Sequence, residues 1–164
     1  MRGDGASPPP RSSPAAILAT AVTAAAVIAG LTYLTSAYGV LLFLGSFAPS
    51  ALIVFAYPDS PFAQPRNVVL GHLIGSACGL AGLHLLGASW WAPAVAVGVA
   101  IALMKLSRAV HPPACSNPLI VFALSQAGWS FLLFPTLAGA ALIVGVALVY
   151  HNLRREARWP KYWF

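Results

Sequence analysis

The chain has 164 residues, of which 59% are hydrophobic and 7% are charged, whereas soluble globular domains are about 25% charged. This composition, with a mean hydropathy of +0.80, excludes an ordinary soluble domain and indicates an integral membrane protein. The net charge of +6 comes from basic residues dispersed between apolar segments, which indicates membrane orientation and no nucleic-acid partner.

The amino-terminal part of the chain predicts a disordered tail followed by a first membrane helix. Residues 1–14 are rich in Pro, Gly and Ser and cannot form a core. The apolar run after them is longer than the roughly 7–15 residues of a signal-peptide core, so we expect a retained helix from Pro14 to about Thr35. The apolar runs do not alternate with polar residues, as strands of a membrane barrel would, which predicts helices throughout.

The next apolar segment, Tyr38 to Pro58, is interrupted at its centre. Gly45, Ser46, Pro49 and Ser50 lie there. Non-helical backbone at membrane depth is tolerated only inside protein or beside a water-filled cavity. The interruption therefore predicts an interior site.

A polar loop, residues 59–67, separates this segment from a third helix predicted from Val68 to Leu86. A pair of Asp59 and Arg66 would brace a gate, although a merely solvated loop accounts for them equally well. The candidate gate and loop residues are Asp59, Arg66, Asn67 and His72.

Glycines recur every four residues on the third helix, at Gly71, Gly75 and Gly79. Such a ridge of small residues lets another helix approach closely, and we expect an internal partner there. Cys78 and Cys115 lie in or beside apolar segments without metal-site or disulfide spacing, so we interpret both as packing residues.

The fourth helix, predicted from about Pro93 to Val110, leads into a second interruption. Lys105, Arg108 and His111 recur every three residues and so share one sector of a helix. They would form a basic vestibule, or the two cations would only reach the interface and set the topology. A histidine side chain has an unperturbed pKa of about 6.5, so His111 would suit an anion-binding or proton-carrying role. The alternative is a structural histidine.

After the second interruption we predict a short half-helix from Pro118 and a sixth helix from about Trp129 to Asn152. Ser and Asn at the starts of half-helices would cap them, and the free N–H groups there favour an anion. The predicted anion-binding residues are Ser46, Ser50, Lys105, Arg108, His111, Pro112, Pro113, Ser116 and Asn117. No catalytic residue, metal ligand or cofactor site is predicted.

The pentapeptide LIVFA occurs at Leu52–Ala56 and again at Leu119–Ala123. Either it is a coincidence of an apolar composition, or it marks a duplication with repeats at residues 14–86 and 90–152. The whole domain is then a single compact all-α bundle of six helical segments, residues 15–152, followed by a basic and aromatic tail, residues 153–164. Three crossings per repeat would invert the second repeat, as in many transporters.

Two topologies fit the hydropathy: six crossings, or four spanning helices with two re-entrant broken segments. Six crossings would gather the basic loops on one side, as cytoplasmic loops require, and this favours six. Both termini are then cytoplasmic, in what we expect to be a bacterial inner (plasma) membrane.

The chain resembles the HPP family of small membrane proteins. The resemblance is carried by GSFAPSALIVFAYPDSPFAQPRNVVLGHLIGS, AVHPPA, GWSFLLFP, HNLRR and WPKYW, which together cover most of the chain from Leu44 to Trp163. It implies four spanning helices, as the family is usually described, and nitrite transport, to which plastid and cyanobacterial members are linked. The chain departs from the family where ACSNP replaces a Gly-Ala-Thr pattern after HPP, and at Pro49.

These observations predict a transporter or channel for a small, nitrite-like inorganic anion, embedded in the lipid bilayer as a monomer or homo-oligomer. The alternative is a non-transporting membrane scaffold or partner subunit. An enzyme is not expected, because the chain has three acidic residues and lacks HExxH and GxSxG motifs.

Overall fold

A computed structural model describes residues 7–8, 10–154 and 158–163. The regular secondary structure of these residues is all helical, with no strand among them. The helices are α1 (Pro14–Tyr38), α2 (Phe47–Ala56), α3 (Pro65–Leu86), α4 (Ala92–Leu106), α5 (Asn117–Leu124) and α6 (Ala138–Arg154). Shorter 3₁₀ or π turns occupy Pro61–Ala63, Pro112–Ser116, Trp129–Leu132 and Leu133–Leu137. The predicted all-helical bundle is confirmed; much of the predicted disordered tail lies outside the described residues.

The bounds of α1 follow from local signals at both of its ends. The Ser13 side chain accepts a hydrogen bond from the Ala16 N–H at 3.2 Å, and Pro14 occupies the first helical position, where its missing N–H costs nothing. The helix ends at Gly39, whose φ of 64° is the left-handed conformation that glycine adopts without strain. The chain can therefore reverse direction immediately after α1.

Three helical stretches are long and apolar enough to cross a membrane: Pro14–Tyr38, Pro65–Leu86 and Trp129–Arg154. By contrast, α2 has ten residues and rises only about 15 Å at 1.5 Å per residue, about half of a 30 Å hydrocarbon core. Residues 40–44 before it have no regular structure. Only the second half of this interrupted segment is therefore helical, from Phe47 to Ala56.

Six segments nevertheless run between the same two ends of the bundle. At one end the start of α3 meets the end of α4, since Arg66 Nη2 donates to the Ser107 carbonyl at 2.8 Å. At the other end the rings of His84 and Trp129 stack at 5.6 Å, joining the end of α3 to the start of the last segment. This order agrees with six passes, although only three helices have full spanning length.

The first of these ends carries the basic residues, and we call it the basic end. A surface groove there is shared by Ser12, Asp59 and Arg154, and Lys161 Nζ lies 2.8 Å from Asp59 Oδ1. The described cations at or beside this end are Arg11, Arg66, Lys105, Arg108, Arg154, Arg158 and Lys161.

The glycine ridge of α3 seats the second interrupted segment. A Cβ added at Gly71 would lie 2.6 Å from the His111 Cβ, and one at Gly79 would lie 2.8 Å from the Pro118 Cα. A Cβ at Gly75 would collide with the Ala114 carbonyl oxygen. The expectation of an internal partner for the ridge is confirmed, and that partner is Pro112–Leu124.

Two further sequence interpretations can be placed on the fold. Cys78 and Cys115 are both free thiols, and Cys78 packs in a small apolar cluster with Met104, as expected of a packing residue. Both copies of LIVFA lie in short helices, α2 and α5. The internal duplication itself stays a prediction.

Candidate functional site

The two interrupted segments meet in the interior at a group of polar side chains that we call the histidine cluster. Its members are Ser50, His72, His111, Asn117 and Ser76, and each has a relative exposure of 0%. Ser50 belongs to α2, His72 and Ser76 to α3, and Asn117 to the start of α5. Four separate parts of the chain therefore contribute to one buried site.

The Ser50 hydroxyl is the centre of this cluster. Its Oγ lies 2.9 Å from His72 Nε2 and 2.9 Å from His111 Nε2. The two imidazole rings have centroids 5.0 Å apart. A single hydroxyl thus joins two buried histidines that are otherwise not hydrogen-bonded to each other.

The Nδ1 atoms of the two rings, on the side away from Ser50, also have hydrogen-bond partners. His111 Nδ1 lies 2.7 Å from the Phe62 carbonyl, and His72 Nδ1 lies 3.1 Å from Asn117 Nδ2. Asn117 Nδ2 also donates to Ser76 Oγ at 2.9 Å. The histidine cluster is consequently a continuous hydrogen-bonded chain.

Local sequence explains why His111 enters the interior. A residue before proline favours extended backbone, and His111 has φ −134° and ψ 97°. Pro112 and Pro113 then fix the following backbone as a 3₁₀ turn. Gly71 on α3 provides the space for the His111 Cβ.

The predicted helix caps are wrong in detail. The sequence predicts Ser50 and Asn117 as the caps, but α2 begins at Phe47 and α5 begins at Asn117, so both residues lie inside their helices. Ser46 and Ser116 occupy the N-cap positions and make no side-chain cap bond. The Ser116 hydroxyl instead donates to the Pro113 carbonyl at 2.8 Å. The Ser46 Oγ is buried without a hydrogen-bond partner.

The structure separates the predicted basic residues from the buried cluster. Lys105 and Arg108 are exposed at the basic end, and Pro112 is also exposed, whereas Pro113 is buried. The vestibule that these cations were expected to form is thus a surface feature above the cluster, while Ser50, His111 and Asn117 lie together inside.

The predicted pair of Asp59 and Arg66 does not form. Asp59 is paired with Lys161, and Arg66 donates to the Ser107 carbonyl. Asn67, the third loop candidate, donates through Nδ2 to the Val110 carbonyl at 2.9 Å. These contacts brace the ends of the loop and of α4 against each other.

Residues 158–163 form a carboxy-terminal strap across this loop, which sequence reasoning missed. Tyr162 Oη donates to Asn67 Oδ1 at 3.0 Å, and the Lys161 N–H donates to Gln64 Oε1 at 2.7 Å. Trp159 is 3% exposed, and its ring lies 5.5 Å from that of His151. The sequence marks this tail only as basic and aromatic, because its contacts with the loop join residues about 95 to 101 positions apart.

His72 belongs to the centre of the site, although the sequence suggested only a loop or gate role. The available signal was its position beside Gly71 on the glycine ridge, which places it near whatever packs there. Its ring also packs edge-on against the ring of Phe47, the first residue of α2, with 4.9 Å between the ring centroids.

Two surface cavities lie apart from the cluster. A groove of about 560 Å³ is lined by α1, α2 and α6 at the basic end, among them Ala16, Leu52 and Tyr150. An apolar cavity of about 420 Å³ is lined by α3 and α4 with Trp129. No member of the histidine cluster lines either of them.

Comparison with known proteins agrees with this architecture. A family model described as HPP, transmembrane region, matches residues 9–160. A transmembrane protein of Dictyostelium discoideum is 38% identical over 74% of this chain and 45% of its own length. A second transmembrane protein of the same organism is 33% identical over 76% of this chain and 42% of its own length.

The chain thus spans less than half the length of the curated relatives it matches. No solved structure matches it. Because these two relatives are not bacterial proteins, the expected bacterial membrane stays a prediction. The match over residues 9–160 covers nearly the whole bundle and both interrupted segments, and the chain therefore belongs to the HPP transmembrane family.

Proposed function

We propose that the protein is a membrane transporter or channel for a small inorganic anion of the nitrite type, and that it works without covalent chemistry. The observation that carries this proposal is the meeting of two interrupted segments at Ser50, between two buried histidines. No cofactor is needed for such a function.

Burying two histidines beside interrupted backbone costs free energy, and this cost argues that the arrangement serves a function. Ionisable residues inside a membrane protein are expensive and commonly mark ion pathways or proton relays. Here two histidines are buried where helices are interrupted, and interrupted backbone at depth usually lines a transport path. A bundle held together only by apolar packing would need neither feature.

The exposed cations supply the second part of the proposal. Lys105 and Arg108 lie at the basic end, where His111 enters the interior. Positive charge around an entrance raises the local concentration of anions and the rate of their association. By the positive-inside rule this end faces the cytoplasm, so both termini are cytoplasmic in our proposal.

The tight packing of the cluster favours a second candidate, a non-transporting scaffold or partner subunit, in which the same residues only hold helices together. Every cluster member is fully buried, and the glycine ridge leaves no room beside Ala114. A scaffold predicts no flux. A transporter predicts that the segments separate during its cycle.

Purified protein in liposomes distinguishes the two candidates. Uptake of nitrite, nitrate, formate and chloride is compared with protein-free liposomes, and we expect protein-dependent uptake of nitrite. The Arg108→Gln variant should reduce the initial rate by roughly tenfold at low salt. The matched control is Arg158→Gln, a change in the strap. Uptake equal to that of protein-free liposomes for all four anions would favour the scaffold.

A further inference from the structure

We propose that His111 takes up one proton together with each anion, so that the protein moves anion and proton as an electroneutral pair. This inference rests on the proposed function and deepens it by naming the co-transported ion. The directions of the hydrogen bonds in the histidine cluster support it.

The chemistry of the partners fixes those directions. The Phe62 carbonyl only accepts, so His111 Nδ1 carries a hydrogen. Asn117 Nδ2 only donates, and its contact of 3.2 Å with the His72 carbonyl requires that the amide point this way. His72 Nδ1 is therefore an acceptor, and in neutral His72 the hydrogen is on Nε2, facing Ser50.

The Ser50 hydroxyl has one hydrogen and two possible acceptors. It can donate to His111 Nε2 or to the Ser46 carbonyl, also 2.9 Å away. When both histidines are neutral, the hydroxyl donates to His111, and the Ser46 carbonyl retains its bond from the Ser50 N–H at 3.2 Å. Both nitrogens of each ring and the Ser50 hydroxyl then have a hydrogen-bond partner, whereas Asn117 Oδ1 has none.

A proton added to His111 Nε2 is accommodated without moving a heavy atom. The hydroxyl turns to the Ser46 carbonyl, and Ser50 Oγ accepts from both His72 Nε2 and His111 Nε2. A hydroxyl oxygen can accept twice and donate once, so all three contacts are hydrogen bonds. The site therefore accommodates both states by rotating one hydroxyl.

The surroundings of His111 lack a counter-ion for the charged state. The groups that face it are Ser50 of α2, His72 of α3 and the Phe62 carbonyl; Asn117 of α5 reaches it only through His72. The charged side chains at this end include the cations Arg66, Lys105 and Arg108, and Asp59, the one acidic residue of the described part of the chain, is paired with Lys161.

A buried imidazolium without a carboxylate partner is unfavourable. An anion that arrives beside His111 supplies the missing negative charge, so each ion makes the other easier to bind. The proton comes from the solution on the side from which the anion enters, rests on Nε2, and leaves with the anion on the other side. The anion and proton thus cross as one neutral pair.

Proton uptake on anion binding tests this inference directly. Nitrite is added to the purified protein in weak buffer, and the pH change is converted to protons bound per nitrite bound. We expect about one proton per nitrite for the wild type and for the control His84→Gln, whose ring is exposed at the opposite end of the bundle. We expect none for His111→Gln. Nitrite binding by the wild type with no proton uptake would overturn the inference.

Transport gives a second readout that does not depend on a substitution. In liposomes, an inward gradient of one pH unit should drive accumulation of nitrite by about tenfold, because one pH unit is worth about 1.4 kcal/mol per proton. Initial rates in protein-free liposomes measure the background, because protonated nitrite is a neutral acid that can cross the lipid without protein. Protein-dependent nitrite flux that ignores the pH gradient would overturn the coupling and leave the transport proposal standing, whereas no protein-dependent flux overturns both.

Discussion

Ser50 links α2, α3 and the segment after α4 through one buried hydroxyl, and this makes it the most sensitive residue of the cluster. Ser50 Oγ is the hydrogen-bond partner of the Nε2 atoms of both His72 and His111. A buried polar group that loses its partner costs about 1–3 kcal/mol. Sequence reasoning selected Ser50 for its place in the interruption, but only the fold shows that histidines are its partners.

The Ser50→Ala variant should lower the free energy of unfolding by about 2–4 kcal/mol, since both histidines lose a partner. The measurement is unfolding of the purified protein in detergent. Ser116→Ala is the matched control, because that hydroxyl is only half-buried and bonds locally to Pro113; it should cost no more than about 1 kcal/mol. Equal losses in the two variants would show that the cluster contributes no special stability.

At the scale of elements, the glycine ridge of α3 decides how the second interrupted segment, residues 111–124, packs; we call it the HPP segment. Small residues let helices approach closely where lipid supplies no hydrophobic driving force. The ridge was predicted from a spacing of four residues, which is a local property of one helix. Its partner could not be predicted in detail, because the contact of Gly71 with His111 joins distant parts of the chain.

We expect Gly75→Ala to prevent close packing of α3 against the HPP segment, since the new Cβ would collide with the Ala114 carbonyl. Such overpacking costs about 1–3 kcal/mol or more. Gly98→Ala is the control: Gly98 lies in α4 with no atom within 4 Å of a new Cβ, so it should be neutral or stabilise by about 0.5–1 kcal/mol. Thermal unfolding in detergent measures both; an unchanged Gly75→Ala protein would contradict the observed packing.

The carboxy-terminal strap is held by Trp159 more than by its ion pair. Trp159 is buried, whereas the side chains of Lys161 and Asp59 are 44% and 74% exposed, and exposed pairs contribute only about 0–1 kcal/mol. Removal of a buried tryptophan side chain costs about 3–5 kcal/mol.

Trp159→Ala should therefore detach the strap, while Trp163→Ala, at 50% exposure, should have little effect. Limited proteolysis of the reconstituted protein measures this, with faster cleavage near the carboxyl terminus expected for Trp159→Ala alone. Equal cleavage of both variants would mean that the strap is not anchored by Trp159.

For the whole molecule, six passes between two ends would place the basic residues together, and Ser12 before α1 and Arg154 at the end of α6 line one groove at the basic end. Positive charge collects on the cytoplasmic side of membrane proteins, and the arrangement agrees with that rule.

The orientation is tested with single cysteines in a background in which Cys78 and Cys115 are replaced by Ala. We expect Ser12→Cys to react with a membrane-impermeant maleimide only from the cytoplasmic side. Ala88→Cys and Gln126→Cys, both exposed at the opposite end, should react only from outside. Labelling of Ser12→Cys and Ala88→Cys from the same side would contradict six passes.

The sequence by itself determined the membrane class, the helices and the two interruptions, because hydropathy, proline positions and glycine spacing act over a few neighbouring residues. It did not determine the backbone of residues 40–44, which are not helical, since apolar residues alone do not fix the backbone. Only the tertiary structure decided that Asp59 pairs with Lys161 and that Ser50 joins His72 to His111. Those contacts connect residues far apart in the chain, so they follow from how the helices pack and not from any local pattern.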